Sequence, residues 1–258
     1  MSKARKMLPV KTAQEGGVHQ AHPAAVAGVP SIDVTDLAGV VYSSGKVFDG
    51  LMTGRQATEN FLRSGSIEGV TSRSDLALLE DLRDVAQSIV EQSRQLQQPI
   101  NAAFVCAVNA KITRSGAIHP GQLRTTGQQI GVGTRYGRHT PDAMTDDSLQ
   151  RLIQESLQAS ATELREAALD LFVNLAKAQP FEDGNKRTAL FVANGLLLNS
   201  GARELLTIPV DEQDPSVADS FNDLLARAYV LGEHTAVKDL LREHGFTPLE
   251  RAGMSDAT

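Results

Sequence analysis

The segment Gln179–Ala189, QPFEDGNKRTA, gathers the residue types that bind and polarise an anion. Gly184 lets the backbone come close to a ligand, and Asn185 can cap a helix or bond a phosphate oxygen. Lys186 and Arg187 add two cations, and Asp183 sets a carboxylate beside them. A Mg2+ ion shared with phosphates needs such a carboxylate. Phe181 is an apolar anchor for the loop. The segment lies between two strongly helical stretches, so a short loop feeds into a helix N-terminus. There the first N–H groups lack partners and the helix dipole places about half a positive charge. Lys and Arg in a first turn oppose that dipole, at a cost of up to about 1 kcal/mol each unless an anion compensates. Spacing alone leaves a plainer reading open, in which Asp183 and Asn185 only cap the helix. The segment is not a P-loop, because the GxxxxGK[ST] spacing is absent.

The elements that must hold this loop are helical. Leu164, Ala168, Leu171, Leu175 and Ala178 form one apolar stripe. Residues 186–200 are apolar almost all round, which predicts a helix in the middle of the core, with Gly201 as its C-terminal stop. Leu78, Leu79, Leu82, Val85, Ala86 and Ile89 make another stripe, and Pro99 opens a segment with Ile100, Phe104, Ala107 and Val108 on one face. Helices are also expected over Thr53–Gly69, Val217–Leu231 and Ala236–Glu243. The exception is the Gly-, Thr- and Gln-rich stretch from about Gly121 to His139, where Gly131 and Gly133 among Ile130, Val132 and Thr134 suggest a short hairpin. The fold class is all-α with one small β-flap.

Composition excludes several classes. The chain has 258 residues, 41% of them hydrophobic and 22% charged, as in an ordinary globular protein. A net charge of -6 and 4% aromatics without Trp argue against a nucleic-acid coat or a base-stacking platform. One cysteine, Cys106, excludes an internal disulfide framework and a Cys-based zinc module, and Cys106 sits on an apolar helical face as a core residue. Glu233-His234 and Glu243-His244 lack HExxH spacing. Glu163, Arg165 and Glu166 read as a solvated face. No apolar run reaches the length of a membrane span, and no signal-type stretch follows the basic N-terminal residues. The cytoplasm is the expected location. The expected organisation is a flexible basic arm at 1–32, an N-terminal helical segment at 33–98, a core at 99–205, C-terminal helices at 206–249 and a flexible tail at 250–258.

QPFEDGNKRTA resembles the core motif of the Fic/Doc (Fido) family, HxFx(D/E)GN(G/K)R, through Phe181, Asp183, Gly184, Asn185 and Arg187. PGQLR at Pro120–Arg124 and QQIGVG at Gln128–Gly133 are similar to the family's segments before and within its target-docking flap. The resemblance covers roughly residues 100–200. It implies a Fic-type helical bundle that binds a nucleotide and moves AMP from ATP to a hydroxyl of a target protein. By the same resemblance Asp183 would hold Mg2+, and Gly184, Asn185, Lys186 and Arg187 would hold phosphates. The flap, with Gln129, Ile130, Gly131, Val132 and Gly133, would align the target by strand addition.

The chain departs from the motif at three positions. Gln179 stands where the family has its histidine base, and an amide cannot take the proton from an attacking hydroxyl. Losing a general base costs about 10²- to 10⁴-fold in rate, so low or conditional activity is expected. His139 is a candidate substitute. Lys186 replaces the glycine of the AMP-transferring branch and matches the Doc-like branch, which implies phosphoryl transfer to a translation factor as an alternative. Leu190 replaces the family's second arginine, which grips the terminal phosphate. Upstream, Ser64, Glu68 and Gly69 in SGSIEG fit the family's inhibitory pattern [ST]xxxE[GN], whose glutamate pairs with that arginine; here Glu68 would meet Arg187 or Lys186. A catalytically inactive nucleotide-binding protein with a regulatory or toxin–antitoxin role is the further alternative. The expected partners are a nucleotide and a target protein, with an antitoxin or a second copy of the chain possible and no membrane or nucleic acid.

Overall fold

The computed structural model of the chain describes residues 32–94, 99–116, 118–159 and 163–249. Apart from Ile32, the expected N-terminal arm and C-terminal tail lie outside them. The helical stripes fold as helices: after a 3-10 turn at Val34–Leu37 come α1 (Ala38–Asp49), α2 (Arg55–Ser64), α3 (Arg73–Ser93), α4 (Ala102–Asn109), α5 (Asp146–Ala159), α6 (Leu164–Ala178), α7 (Asn185–Asn199), α8 (Ser216–Leu231) and α9 (His234–His244). Two antiparallel pairs, β1 (Val132–Thr134) with β2 (Gly137–His139) and β3 (Glu204–Leu206) with β4 (Phe246–Pro248), are the β structure among the described residues. The chain is all-α with a small β-flap. No described helix is long and apolar enough to cross a membrane.

The residues apolar on every side form the centre. Helix α7 packs against α1, α3, α4 and α6. Phe191 on α7, Phe172 on α6 and Phe181 in the loop between them are fully buried. Each such ring contributes roughly 1.5–3 kcal/mol by leaving water. Asn194, a polar residue in the middle of α7, is buried without penalty because its amide pairs with both backbone groups of Leu206 at 2.8 Å. That pairing seats β3 on α7. The β3–β4 pair was not expected: its three-residue strands are separated by α8 and α9, so no turn signal joins them.

Helix α2 ends at Ser64, short of the expected Gly69, because Gly65 turns left-handed at φ 71 and its N–H closes the helix on Phe61. Ser64 caps back onto Asn60, and Glu68 and Gly69 lie in the exposed turn that follows. Buried Asp75 on α3 organises both ends of this region. It accepts from the backbone of Met52 and Thr53 and from the hydroxyls of Thr53, Thr71 and Ser72. Burial alone would raise its pKa, but these donors outweigh it and hold the carboxyl below its ordinary range.

The Arg165–Glu166 region is a set of stitches rather than a solvated face. Arg165 pairs with Glu204 on β3, and Glu166 pairs with Lys238 and Arg242 on α9. Cys106 is half-buried against the core. The flap is held at its tip by α8, where Asp223 accepts from Arg135 at 2.6 Å and from the Tyr136 hydroxyl at 2.8 Å.

Candidate functional site

Helix α6 stops at Ala178, and Gln179 turns the chain with φ 45, the positive φ of a non-glycine residue among the described residues. Arg124 holds that turn. It is 3% exposed, and its Nε donates to the Gln179 carbonyl at 2.8 Å while its backbone N–H donates to Pro180. Its Nη2 donates to the carbonyls of Pro141 and Asp142, each at 2.7 Å. One guanidinium thus ties the motif loop to the chain leaving the flap. Arg124→Ala takes the donors from the buried Gln179 carbonyl and from the partly exposed carbonyls of Pro141 and Asp142, which costs about 3 kcal/mol and lowers the melting temperature by roughly 6–12 °C. Arg124→Lys recovers little, since an ammonium cannot reproduce the planar fork. Thermal denaturation checks the first effect and hydrogen exchange at Ile130–His139 the second; an unchanged flap would refute the tie.

Downstream, Phe181 is fully buried, as expected for an anchor. Asn185 neither caps α7 nor faces outward: its amide clamps the backbone N–H and carbonyl of Phe181, both at 2.9 Å. Gly184 is the N-cap, with φ 72, and a Cβ there would lie 2.7 Å from Ile112. Both facts require glycine. Asn109, at the end of α4, braces the loop through the Asp183 carbonyl at 3.1 Å and the Thr188 hydroxyl at 3.0 Å. The first backbone bond of α7 runs from Thr188 N–H to Gly184. The N–H groups of Asn185, Lys186 and Arg187 have no hydrogen-bond partner among the described residues. Three open donors at a helix N-terminus make an anion site.

Arg187 is 2% exposed and runs beneath this site. Its Nη1 donates to the Ser115 hydroxyl at 2.8 Å and its Nη2 to the Ser115 carbonyl at 3.2 Å. Its other contacts are carboxylates, Asp49 at 3.3 Å from Nε and Asp183 at 3.6 Å from Nη2. Lys186 sits over the Phe48 ring, 4.9 Å from its centre. Burial lowers the Lys186 pKa, with Asp49 acting the other way. Burial raises the Asp49 pKa; Arg187 opposes that shift and the neighbouring Asp183 reinforces it. The end of α1 therefore closes on the start of α7. Asp49 is an acid at a helix C-terminus, and Lys186 and Arg187 are bases at a helix N-terminus. Each opposes its own helix dipole, and each offsets the other. Asp49 was not singled out in the sequence, although its place just before Gly50 carried that anomaly. Glu68 is exposed and makes no ion pair among the described residues.

The Gln179 side chain is buried beside Tyr229. The Tyr229 hydroxyl has no hydrogen bond of good geometry, and burial holds its phenol well above the ordinary pKa, with the Gln179 amide pulling slightly downward. His139 lies against the Tyr229 ring, with centres 5.1 Å apart. Its Nε2 is 2.7 Å from the Lys177 carbonyl. A carbonyl only accepts, so Nε2 carries the hydrogen and Nδ1 is the nitrogen left to accept a proton. Leu190 is fully buried in the core. In the flap, Val132 and Gly133 lie in β1, while Gln129, Ile130 and Gly131 precede it.

The loop, the open helix start and the flap lie in one contiguous stretch of chain, and a scan against protein families matches residues 99–197 to the Fic/DOC family. These residues form a Fic/DOC core. The Fic core runs from the start of α4 through the flap and nearly to the end of α7. Asp49, Glu68 and Asp81 lie outside it. Solved structures give the same fold. A Fic domain containing signalling protein from Bacteroides thetaiotaomicron has a TM-score of 0.56 and 17% identity, with 80% of this chain and 82% of that one covered. Fic-1 from C. elegans gives 0.58 and 16%, covering 87% and 64%. A Fic family protein from Desulfovibrio desulfuricans gives 0.54 and 15%, covering 81% and 64%. This chain thus spans less than two thirds of the last two. At these identities the likeness is one of fold. A search of curated proteins gave no match.

Proposed function

We propose that the chain is a Fic-type protein-modifying enzyme of low or conditional activity, which binds ATP and transfers AMP to a hydroxyl of a target protein. The observation that carries this reading is the set of open N–H groups at Asn185–Arg187 above the buried guanidinium of Arg187. That is a phosphate site by both dipole and charge. Asp183 is the carboxylate suited to Mg2+: its side chain is more than half exposed, and only Oδ1 is engaged, by the Gly184 N–H and the Arg187 guanidinium. One carboxylate with phosphates and water suits that ion. Mg2+ bound there would neutralise phosphate charge. In the transfer, the target oxygen bonds the α-phosphorus, the bond to the β-phosphate oxygen breaks, and pyrophosphate leaves. The hydroxyl proton needs an acceptor, which Gln179 is not, so the proton passes to solvent and the transfer is slow. The flap would present the target chain along the edge of β1.

Two features set the level of activity. Asp49, not Glu68, is the carboxylate placed against Arg187, so it is the group an incoming phosphate must displace. Leu190 offers no second arginine for a terminal phosphate. Lys186 in place of glycine keeps Doc-like phosphoryl transfer as the alternative chemistry. The burial of Gln179 against Tyr229 favours a second reading, a nucleotide-binding protein without turnover that regulates a partner, such as an antitoxin or a second copy.

Intact-protein mass spectrometry tests these readings. The purified chain is incubated with ATP and Mg2+, alone and with lysate proteins. Slow addition of AMP, lost in Asp183→Ala and Arg187→Ala, is the expected result. Addition of a phosphoryl group instead assigns the Doc-like chemistry. Binding without any adduct supports the second reading, and neither binding nor adduct overturns both.

A further inference from the structure

Asp81 lies on α3, outside the Fic core, and its side chain is fully buried. Its oxygens accept from three consecutive backbone N–H groups, Thr113 at 3.2 Å, Arg114 at 2.9 Å and Ser115 at 2.7 Å. It also accepts from the Arg114 guanidinium at 3.0 Å and the Ser115 hydroxyl at 2.8 Å. The loop after α4 is therefore wrapped on one carboxylate from another helix. A loop knot needs only the backbone bonds, so the Ser115 hydroxyl is surplus to it.

That hydroxyl is directional. Its hydrogen goes to Asp81, so its oxygen faces Arg187 as an acceptor, and Arg187 Nη1 donates to it at 2.8 Å. The Ser115 carbonyl takes Nη2. Two bonds from the two Nη groups to one residue stop the guanidinium from turning about its own axis. Its remaining N–H groups then point toward Asp49 and Asp183, and an anion entering there would replace Asp49. We propose that Ser115, oriented by Asp81, is a positioning residue that fixes the Arg187 fork for the phosphate of a bound nucleotide. This rests on the reading of the α7 N-terminus as a nucleotide site.

The test is calorimetric titration of the full chain with ATP in the presence of Mg2+, alongside thermal unfolding. Arg187→Ala should abolish binding. Ser115→Ala should weaken it about tenfold, the loss carried by one charge-assisted hydrogen bond. Its unfolding temperature should stay near the native one, because the three backbone bonds to Asp81 remain. Ser115→Thr restores the hydroxyl and should bring affinity back toward the native value, which a purely structural role does not predict. Native affinity in Ser115→Ala, or a Thr variant as weak as the Ala variant, would overturn the positioning role while leaving the nucleotide site intact. If neither the native chain nor Asp49→Ala binds ATP, the nucleotide site itself is wrong and the positioning role falls with it.

Discussion

Asp49→Ala binds ATP about tenfold more tightly than the native chain. The ion pair between Asp49 and Arg187 spans 3.3 Å, and a phosphate needs the same edge of the guanidinium. At this separation two unit charges attract by roughly 5 kcal/mol at the effective dielectric of a protein surface. Partial exposure of the Asp49 side chain reduces that, to a net of about 1–2 kcal/mol. Any anion entering the site must replace this interaction before it gains anything, and removing the carboxylate returns the difference as affinity. Asp49→Asn keeps the volume and loses the charge, so it should show most of the gain. Glu68→Ala should show none, because Glu68 touches neither cation. Calorimetric titration of the three variants decides the matter. Equal affinity in the native chain and both Asp49 variants would mean that Asp49 is only a structural partner of Arg187.

What the sequence disclosed divides along the range of the interactions. Helices α6 and α7 were legible because their burial follows from spacing within each segment. The loop from Gln179 to Asn185 was legible because its residue types are adjacent. The end of α2 was misjudged by one local detail, the left-handed turn at Gly65, which cut the expected helix short and left Glu68 in an exposed turn. The groups that complete the site come from far along the chain. Asn109 reaches across 74 positions to Asp183, Arg124 across 55 to Gln179, and Asp81 across 34 to Ser115. No periodicity encodes such pairings. Asp49 is the instructive case. Its sign is wrong for its own helix end, as are those of Lys186 and Arg187, and matching such anomalies between elements would have paired α1 with α7 before any coordinates.

Gln179→His converts the chain into a transferase about 10²- to 10⁴-fold faster, the contribution of a general base. The backbone accepts the change. Position 179 has φ 45, and histidine is among the non-glycine residues enriched in that region, unlike glutamine. The side-chain volumes are similar, and the unpartnered Tyr229 hydroxyl beside position 179 gives an imidazole a neighbour that can donate a hydrogen bond. The rate of the variant should rise with pH through the ordinary imidazole range near about 6.5, because only the neutral ring takes a proton. The native chain has no such step from position 179, since an amide does not titrate. Combining Gln179→His with Asp49→Ala separates the two effects. Below saturation with ATP the gains multiply, one acting on binding and the other on proton removal; at saturating ATP only the histidine gain remains. Intact-mass measurements on the variants and on lysate proteins read the outcome. A native chain that already transfers as fast as the histidine variant would show that another group takes the proton, with His139 Nδ1 the first to test. A folded, ATP-binding histidine variant that modifies nothing would remove the transferase reading and leave nucleotide binding as the function of this site.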